Sequence, residues 1–299
     1  MKKRAKIATA VAVGVGASYL SYKVISEKLF NNTFKSERVK SEVADEYKEW
    51  FSTSKVFKVS IKSFDGLKLC AYKFVNHEGK PFILMVHGIS NNKEKMFKRA
   101  VEFDKLGYNL LIIDLRGHGE SEGEFVTYGL KESLDILLWN RYLYIKHPES
   151  SVILYGVSLG AASVMMATNN HLDPNVKCVV EDCGYSSFYE ELDHVLKRDY
   201  KLQATGMVLK IYNNMMKERF GFTFEDISPK MCLENNEIPI LFVHGMEDDL
   251  VPFEMATILY NHNKGEKKYY PVPEAKHAKA NDNKDYYTNI DSFIKNYVS

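Results

Sequence analysis

Ser158 stands in Gly156-Val157-Ser158-Leu159-Gly160, between an apolar β-rich run, Ser151 to Tyr155, and a small-residue run of helical character. Gly-x-Ser-x-Gly at a strand-to-helix junction is the sequence form of a nucleophile elbow. The tight turn exposes the serine Oγ above the sheet, and the flanking glycines remove side chains that would clash there. The hydroxyl then lies at a helix N-terminus, where aligned peptide dipoles favour negative charge. A serine so placed can carry acyl transfer. It needs a base, a carboxylate to orient that base, and N–H donors for the oxyanion.

Each of these has a candidate at the end of a predicted strand. In Val86-His87-Gly88-Ile89-Ser90, the N–H of Ile89 can serve as one oxyanion donor, and Leu159, directly after the serine, supplies the other. His87 reads as a structural side chain holding its loop. In the run from Leu241 to Pro252, Asp248 matches an HGxxDxxVP spacing and is the expected orienting acid, with Asp249 and Glu247, otherwise ordinary solvated loop acids, as the alternatives. His277, in Pro273-Glu274-Ala275-Lys276-His277-Ala278, follows the last strand 29 residues beyond Asp248 and completes the order Ser, Asp, His. His118 belongs to the tight turn Arg116-Gly117-His118-Gly119 and reads as structural, while His147, His171, His194 and His262 have no comparable context. A bare GxSxG is a weak signal; four motifs in this order are a strong one.

The elements that must position these residues alternate between apolar strands and helices after residue 55, which predicts a mostly parallel sheet covered on both faces. Strands are expected at Val56–Ile61, Leu67–Phe74, Phe82–His87, Tyr108–Asp114, Ser151–Tyr155, Val176–Asp182, Ile238–His244 and Lys268–Val272. Asp65-Gly66 is a hairpin signal, so the first two strands are expected antiparallel. Helices are expected over Lys93–Leu106, Lys131–Ile145, from the elbow to Thr168, Phe253–Asn263 and Tyr286–Tyr297. The interval 185–236 is too long for a simple crossover and carries large side chains at helical spacing, among them Phe188, Leu192, Leu196 and Tyr212. It reads as a small helical cap, with plain packing on the sheet as the alternative.

With 45% hydrophobic and 26% charged residues in 299, the chain has ample core, and a net charge of +1 provides no field to recruit nucleic acid. There is no HExxH, no P-loop and no complete GxGxxG, since Gly117-x-Gly119 lacks a third glycine; no metal or organic cofactor is expected. The four cysteines form no CxxC. Cys70 and Cys178 lie in predicted strands and read as buried small hydrophobes, with a disulfide left open should the domain be exported.

At the N-terminus, Lys2-Lys3-Arg4 and Lys6 precede an uncharged run from Ile7 to Tyr22. As a helix this run spans about 24 Å, slightly short of a bilayer core, and lysines at its ends can snorkel. Residues 1–25 are read as a membrane anchor with the catalytic domain outside. A cleaved signal peptide, helped by Val15-Gly16-Ala17, and a soluble helix are the alternatives. Residues 26–54 are read as a linker or surface helix, and 55–299 as the catalytic domain with the cap inserted.

The chain resembles the α/β-hydrolase superfamily over nearly all of residues 55–299, and is most similar to the membrane-associated cell surface hydrolases of low-GC Gram-positive bacteria. The resemblance rests on Ser63-Phe64-Asp65-Gly66-Leu67, Val86-His87-Gly88, the run from Asp114 to Ser121, the elbow, and Glu181-Asp182-Cys183-Gly184-Tyr185-Ser186-Ser187. It implies an α/β fold with eight strands, the second antiparallel, a short cap, and a triad of Ser158, Asp248 and His277. Relatives are described as esterases, lipases or peptidases. The expected function is therefore hydrolysis of a small-molecule carboxylic ester or thioester through an acyl-enzyme. A peptidase on the same triad and a non-catalytic surface binding module are the alternatives.

Overall fold

The computed structural model describes residues 27–28, 30–201 and 206–298. The anchor expected at 1–25 lies outside them, and among the described residues no helix is long and apolar enough to cross a membrane. The chain divides into two units. One runs to Lys35 and includes Ser187–Ser228; the other comprises Ser36–Ser186 and Pro229–Ser299.

The larger unit opens with helix α1 (Asp45–Thr53) and carries an eight-stranded sheet: β1 (Val56–Lys62), β2 (Lys68–Phe74), β3 (Phe82–Val86), β4 (Asn109–Ile113), β5 (Val152–Val157), β6 (Val176–Asp182), β7 (Ile240–Gly245) and β8 (Lys267–Val272). Their spatial order is β1-β2-β4-β3-β5-β6-β7-β8. β2 runs antiparallel to both neighbours, and every other pairing is parallel. The turn between β1 and β2 contains Gly66 at φ +89, a conformation that glycine adopts at no steric cost.

Strands β3, β4, β5 and β7 are buried along their whole length, as parallel strands covered on both faces must be. Successive side chains point to opposite faces. Ile83, Met85, Ile153, Tyr155, Leu241 and Val243 join a core with Phe97 and Phe103 of α2 (Phe97–Lys105) and with Ile290 and Phe293 of the C-terminal helix. Leu84, Val86, Leu154, Val179 and Phe242 join the opposite core, against Ile136 and Trp139 of α3 (Leu130–Lys146) and Val164 of α4 (Leu159–Ala167). The set is completed by α7 (Pro229–Cys232), α8 (Phe253–His262) and α9 (Tyr286–Ile294), the last ending three residues before the expected Tyr297.

The smaller unit holds α5 (Phe188–Tyr200) and α6 (Gly206–Phe220). Ser187 caps α5: its Oγ accepts from the Glu190 N–H. An aromatic cluster holds this unit together, with Phe30 and Phe34 fully buried against each other and against Phe220, and Phe34 also touching Phe188. Arg219 lies over the Phe30 ring at 4.3 Å and pairs with Glu27. Residues 30–34 thus belong by packing to the segment that follows β6, some 150 positions along the chain. Nothing local in the sequence announces that pairing.

All four cysteines are free. Cys178 is fully buried, whereas Cys70, expected buried, is partly exposed because its strand lies next to the sheet edge; its thiol donates to the Glu120 carbonyl.

Candidate active site

β5 runs straight into the elbow. Ser158 adopts φ +56, ψ −116, a strained backbone worth roughly 1–3 kcal/mol that a well-determined fold must offset. The flanking glycines permit it. A Cβ on Gly156 would lie 2.3 Å from the Gly160 carbonyl oxygen, and one on Gly160 would lie 2.2 Å from the Val86 carbonyl oxygen. The Ser158 N–H is held by the Asp182 carbonyl of β6 at 2.8 Å.

His277 Nε2 lies 3.0 Å from Ser158 Oγ, and His277 Nδ1 lies 2.7 Å from Asp248 Oδ2. Since the carboxylate can only accept, Nδ1 carries the proton and Nε2 is left bare to receive one from the serine hydroxyl. Asp248 Oδ1 accepts the N–H groups of Leu250 and Val251 at 3.0 Å each, which fixes the carboxylate plane. Burial pushes the Asp248 pKa up. Hydrogen bonds from His244 and His277 outweigh that and hold it well below the usual carboxylate range.

The loop bearing His277 crosses over Gly245. A Cβ there would meet the Ala275 carbonyl oxygen at 2.2 Å, and that carbonyl instead accepts the Glu247 N–H. The glycine after His244 therefore lets the acid loop and the base loop approach each other.

Two buried histidines secure the loop after β3. His87 Nδ1–H donates to the Gly88 carbonyl at 2.7 Å, and its Nε2 accepts the Leu115 N–H. His118 Nδ1–H donates to the Arg116 carbonyl, and its Nε2 accepts the Ser90 N–H. Both rings must be neutral to do this, and burial drives the His87 pKa down to about 3. The loop they secure packs onto the elbow: a Cβ on Gly88 would lie 3.3 Å from Ser158 Cβ. Ile89 and Leu159, the expected oxyanion donors, thus border the serine from two elements. Among the described residues neither N–H has a hydrogen-bond partner, and Leu159 is the first residue of α4, where such donors are unmatched by geometry.

His244 is the neighbour that sequence reasoning passed over. Fully buried, its Nε2–H is directed to the Val251 carbonyl at 2.9 Å and lies 3.4 Å from Asp248 Oδ2. Beside it on the same sheet face is Glu181, whose Oε2 accepts the Gly184 N–H at 2.9 Å; burial, only partly offset by His244 and this bond, pushes its pKa up to about 8. The Cys183 thiol, an Asp248 oxygen and a His277 ring nitrogen lie within 4.8 Å of one another, a donor set that could take a metal. The Asp248–His277 hydrogen bond already engages two of the three.

Residues 81–235 match the family model described as the alpha/beta hydrolase fold. This chain belongs to the α/β-hydrolase superfamily. Among curated proteins the hydrolase is 27% identical to the uncharacterized protein YqkD of Bacillus subtilis, over 92% of this chain and 88% of that protein. Among solved structures it is similar to the Pyrococcus furiosus esterase Pf2001, with TM-score 0.70 and 20% identity, over 88% of this chain and 100% of the other. It is also similar to the Pyrococcus horikoshii acylaminoacyl peptidase, with TM-score 0.62 and 19% identity, over 85% of this chain and 44% of that one. At such identities the structural likeness speaks for the fold.

Proposed function

We propose that this hydrolase is a serine esterase that cleaves small carboxylic esters or thioesters through an acyl-enzyme. The observation that carries the reading is the continuous chain Ser158 Oγ–His277–Asp248, with contacts of 3.0 and 2.7 Å. His277 Nε2 takes the hydroxyl proton as Oγ attacks the acyl carbon. Asp248 holds the imidazole in the Nδ1–H tautomer and stabilises the imidazolium. The N–H groups of Ile89 and Leu159 receive the oxyanion, where preorganised donors lower the barrier most. His277 then returns its proton to the leaving alcohol or thiol, and water activated by the same ring hydrolyses the acyl-enzyme.

A fluorophosphonate probe and a parallel panel of short-chain aryl esters and peptide amides test this. Ser158→Ala should abolish labelling and turnover, and esters should exceed amides in kcat/KM. Equal labelling of variant and parent would reject the serine mechanism; higher kcat/KM on amides would replace the esterase by a peptidase.

A further inference from the structure

The acidic pair at the end of β6 belongs to the run Glu181-Asp182-Cys183-Gly184-Tyr185-Ser186-Ser187, and the chemistry above leaves its side chains unused. Asp182 is fully buried. Its backbone carbonyl accepts the Ser158 N–H at 2.8 Å, so this residue fixes the nucleophile's own peptide. Its side chain faces the other way along the network. Oδ2 accepts the Tyr286 hydroxyl at 2.6 Å and lies 3.5 Å from Arg99 Nη2, while Tyr286 in turn contacts the Tyr155 hydroxyl at 2.7 Å.

Arg99 projects from α2 with only 8% of its surface exposed, and Nη2 also donates to the Ala278 carbonyl at 3.0 Å. Ala278 directly follows His277 and sits at φ +56, in the left-handed region that alanine seldom adopts. A backbone in that conformation needs an external hold. The guanidinium supplies it on the carbonyl next to the base, and a buried guanidinium with a carboxylate neighbour cannot leave without stranding both charges.

We propose that Asp182 and Arg99 are positioning residues for catalysis: through one backbone carbonyl and one guanidinium, they set the Ser158 hydroxyl and the His277 ring in mutual register. This rests on the serine-hydrolase reading. Neither residue meets substrate. Their role is to hold two reacting atoms, borne by segments 119 residues apart, at 3.0 Å. A misplacement of about 1 Å between reacting groups can cost on the order of 100-fold in rate.

The test compares parent, Arg99→Met, Arg99→Lys and Asp182→Asn on an aryl butyrate ester. It reads kcat, KM, the rate of Ser158 labelling by the fluorophosphonate and the amplitude of the acyl-enzyme burst. Arg99→Met should lower kcat and the labelling rate roughly 30- to 100-fold at full burst amplitude, with KM within about threefold. Arg99→Lys, which can still donate to the Ala278 carbonyl, should recover to within about fivefold of the parent. Asp182→Asn keeps an acceptor for Tyr286 and the backbone bond to Ser158 but loses the charge facing Arg99, and should fall about tenfold. A kcat in Arg99→Met within threefold of the parent overturns the proposal. So does a loss in every variant that tracks burst amplitude, because that reports only fewer folded molecules. A parent that neither labels nor turns over would instead overturn the serine-hydrolase reading itself.

Discussion

Replacing Asp248 by Asn changes one atom and should remove most of the activity. The structure determines which way the amide must face. Oδ1 accepts two backbone N–H groups, from Leu250 and Val251. Presenting an NH2 group to them would leave buried donors opposed, at about 1–3 kcal/mol for each unsatisfied group. The amide oxygen therefore stays with the backbone and the nitrogen faces His277 Nδ1. A nitrogen donor cannot accept the Nδ1 proton, so the imidazole changes tautomer, and Nε2 then presents a hydrogen to Ser158 Oγ instead of a lone pair. The Asp248 side chain is fully buried, so no bulk solvent stands in for the lost acceptor. A triad acid converted to its amide with geometry intact loses roughly 10,000-fold in kcat, about 5.5 kcal/mol of barrier. Steady-state kinetics on an aryl ester, with thermal melting to verify folding, reads this directly. KM should stay within about threefold, and Glu247→Gln, one position before in an exposed turn, should match the parent. A folded Asp248→Asn enzyme retaining more than about a tenth of parental kcat would refute the assignment of the orienting acid.

Two further outcomes follow from buried positions outside the reacting atoms. Gly160→Ala places a methyl 2.2 Å from the Val86 carbonyl and 2.8 Å from that of His87, both backbone and unable to yield. It should cost about 3 kcal/mol or more, visible as a lower urea midpoint, and an unchanged midpoint would show that the elbow tolerates a side chain there. Glu181 holds its proton up to about pH 8 when folded and releases it near pH 4.5 when unfolded. Between those values the native state binds the extra proton, so its stability falls as pH rises, by up to about 1.4 kcal/mol per pH unit. Glu181→Gln, which cannot ionise, should be the more stable protein at pH 8 and should differ least from the parent near pH 5. Urea midpoints that shift in parallel for both proteins across that range would contradict a buried neutral carboxyl.

Much of the architecture was legible because its signals are local. Apolar-rich runs of five to eight residues marked the strands, and Asp65-Gly66 marked the hairpin whose second strand runs against its neighbours. Glycines at 156 and 160 marked close backbone approaches that the structure contains, whereas the approach of the Ala275 carbonyl to Gly245 shows only in the fold. Element ends moved by a residue or two, as at β7, which begins at Ile240 and includes Gly245. His244 was visible as the histidine of the HGxxDxxVP run and the last residue of a strand, but the run assigned it no role, and its contact with Asp248 shows only in the structure. Arg99 was less visible still: an arginine on a short helix beside Lys98 reads as a solvated face.

Residue type and order along the chain determined which groups could react. A serine between two glycines, an acid after an HG turn and a histidine after the last strand carry that information in their own neighbourhoods. Tertiary structure decided what holds them. Arg99, Asp182 and Ala278 become neighbours only when α2, β6 and the loop after β8 close on one end of the sheet, and Phe30 joins Phe220 only through packing. The reason is physical: turn conformation and periodicity are set by adjacent atoms, whereas a buried hydrogen bond between distant segments exists only once the core has excluded water from both partners.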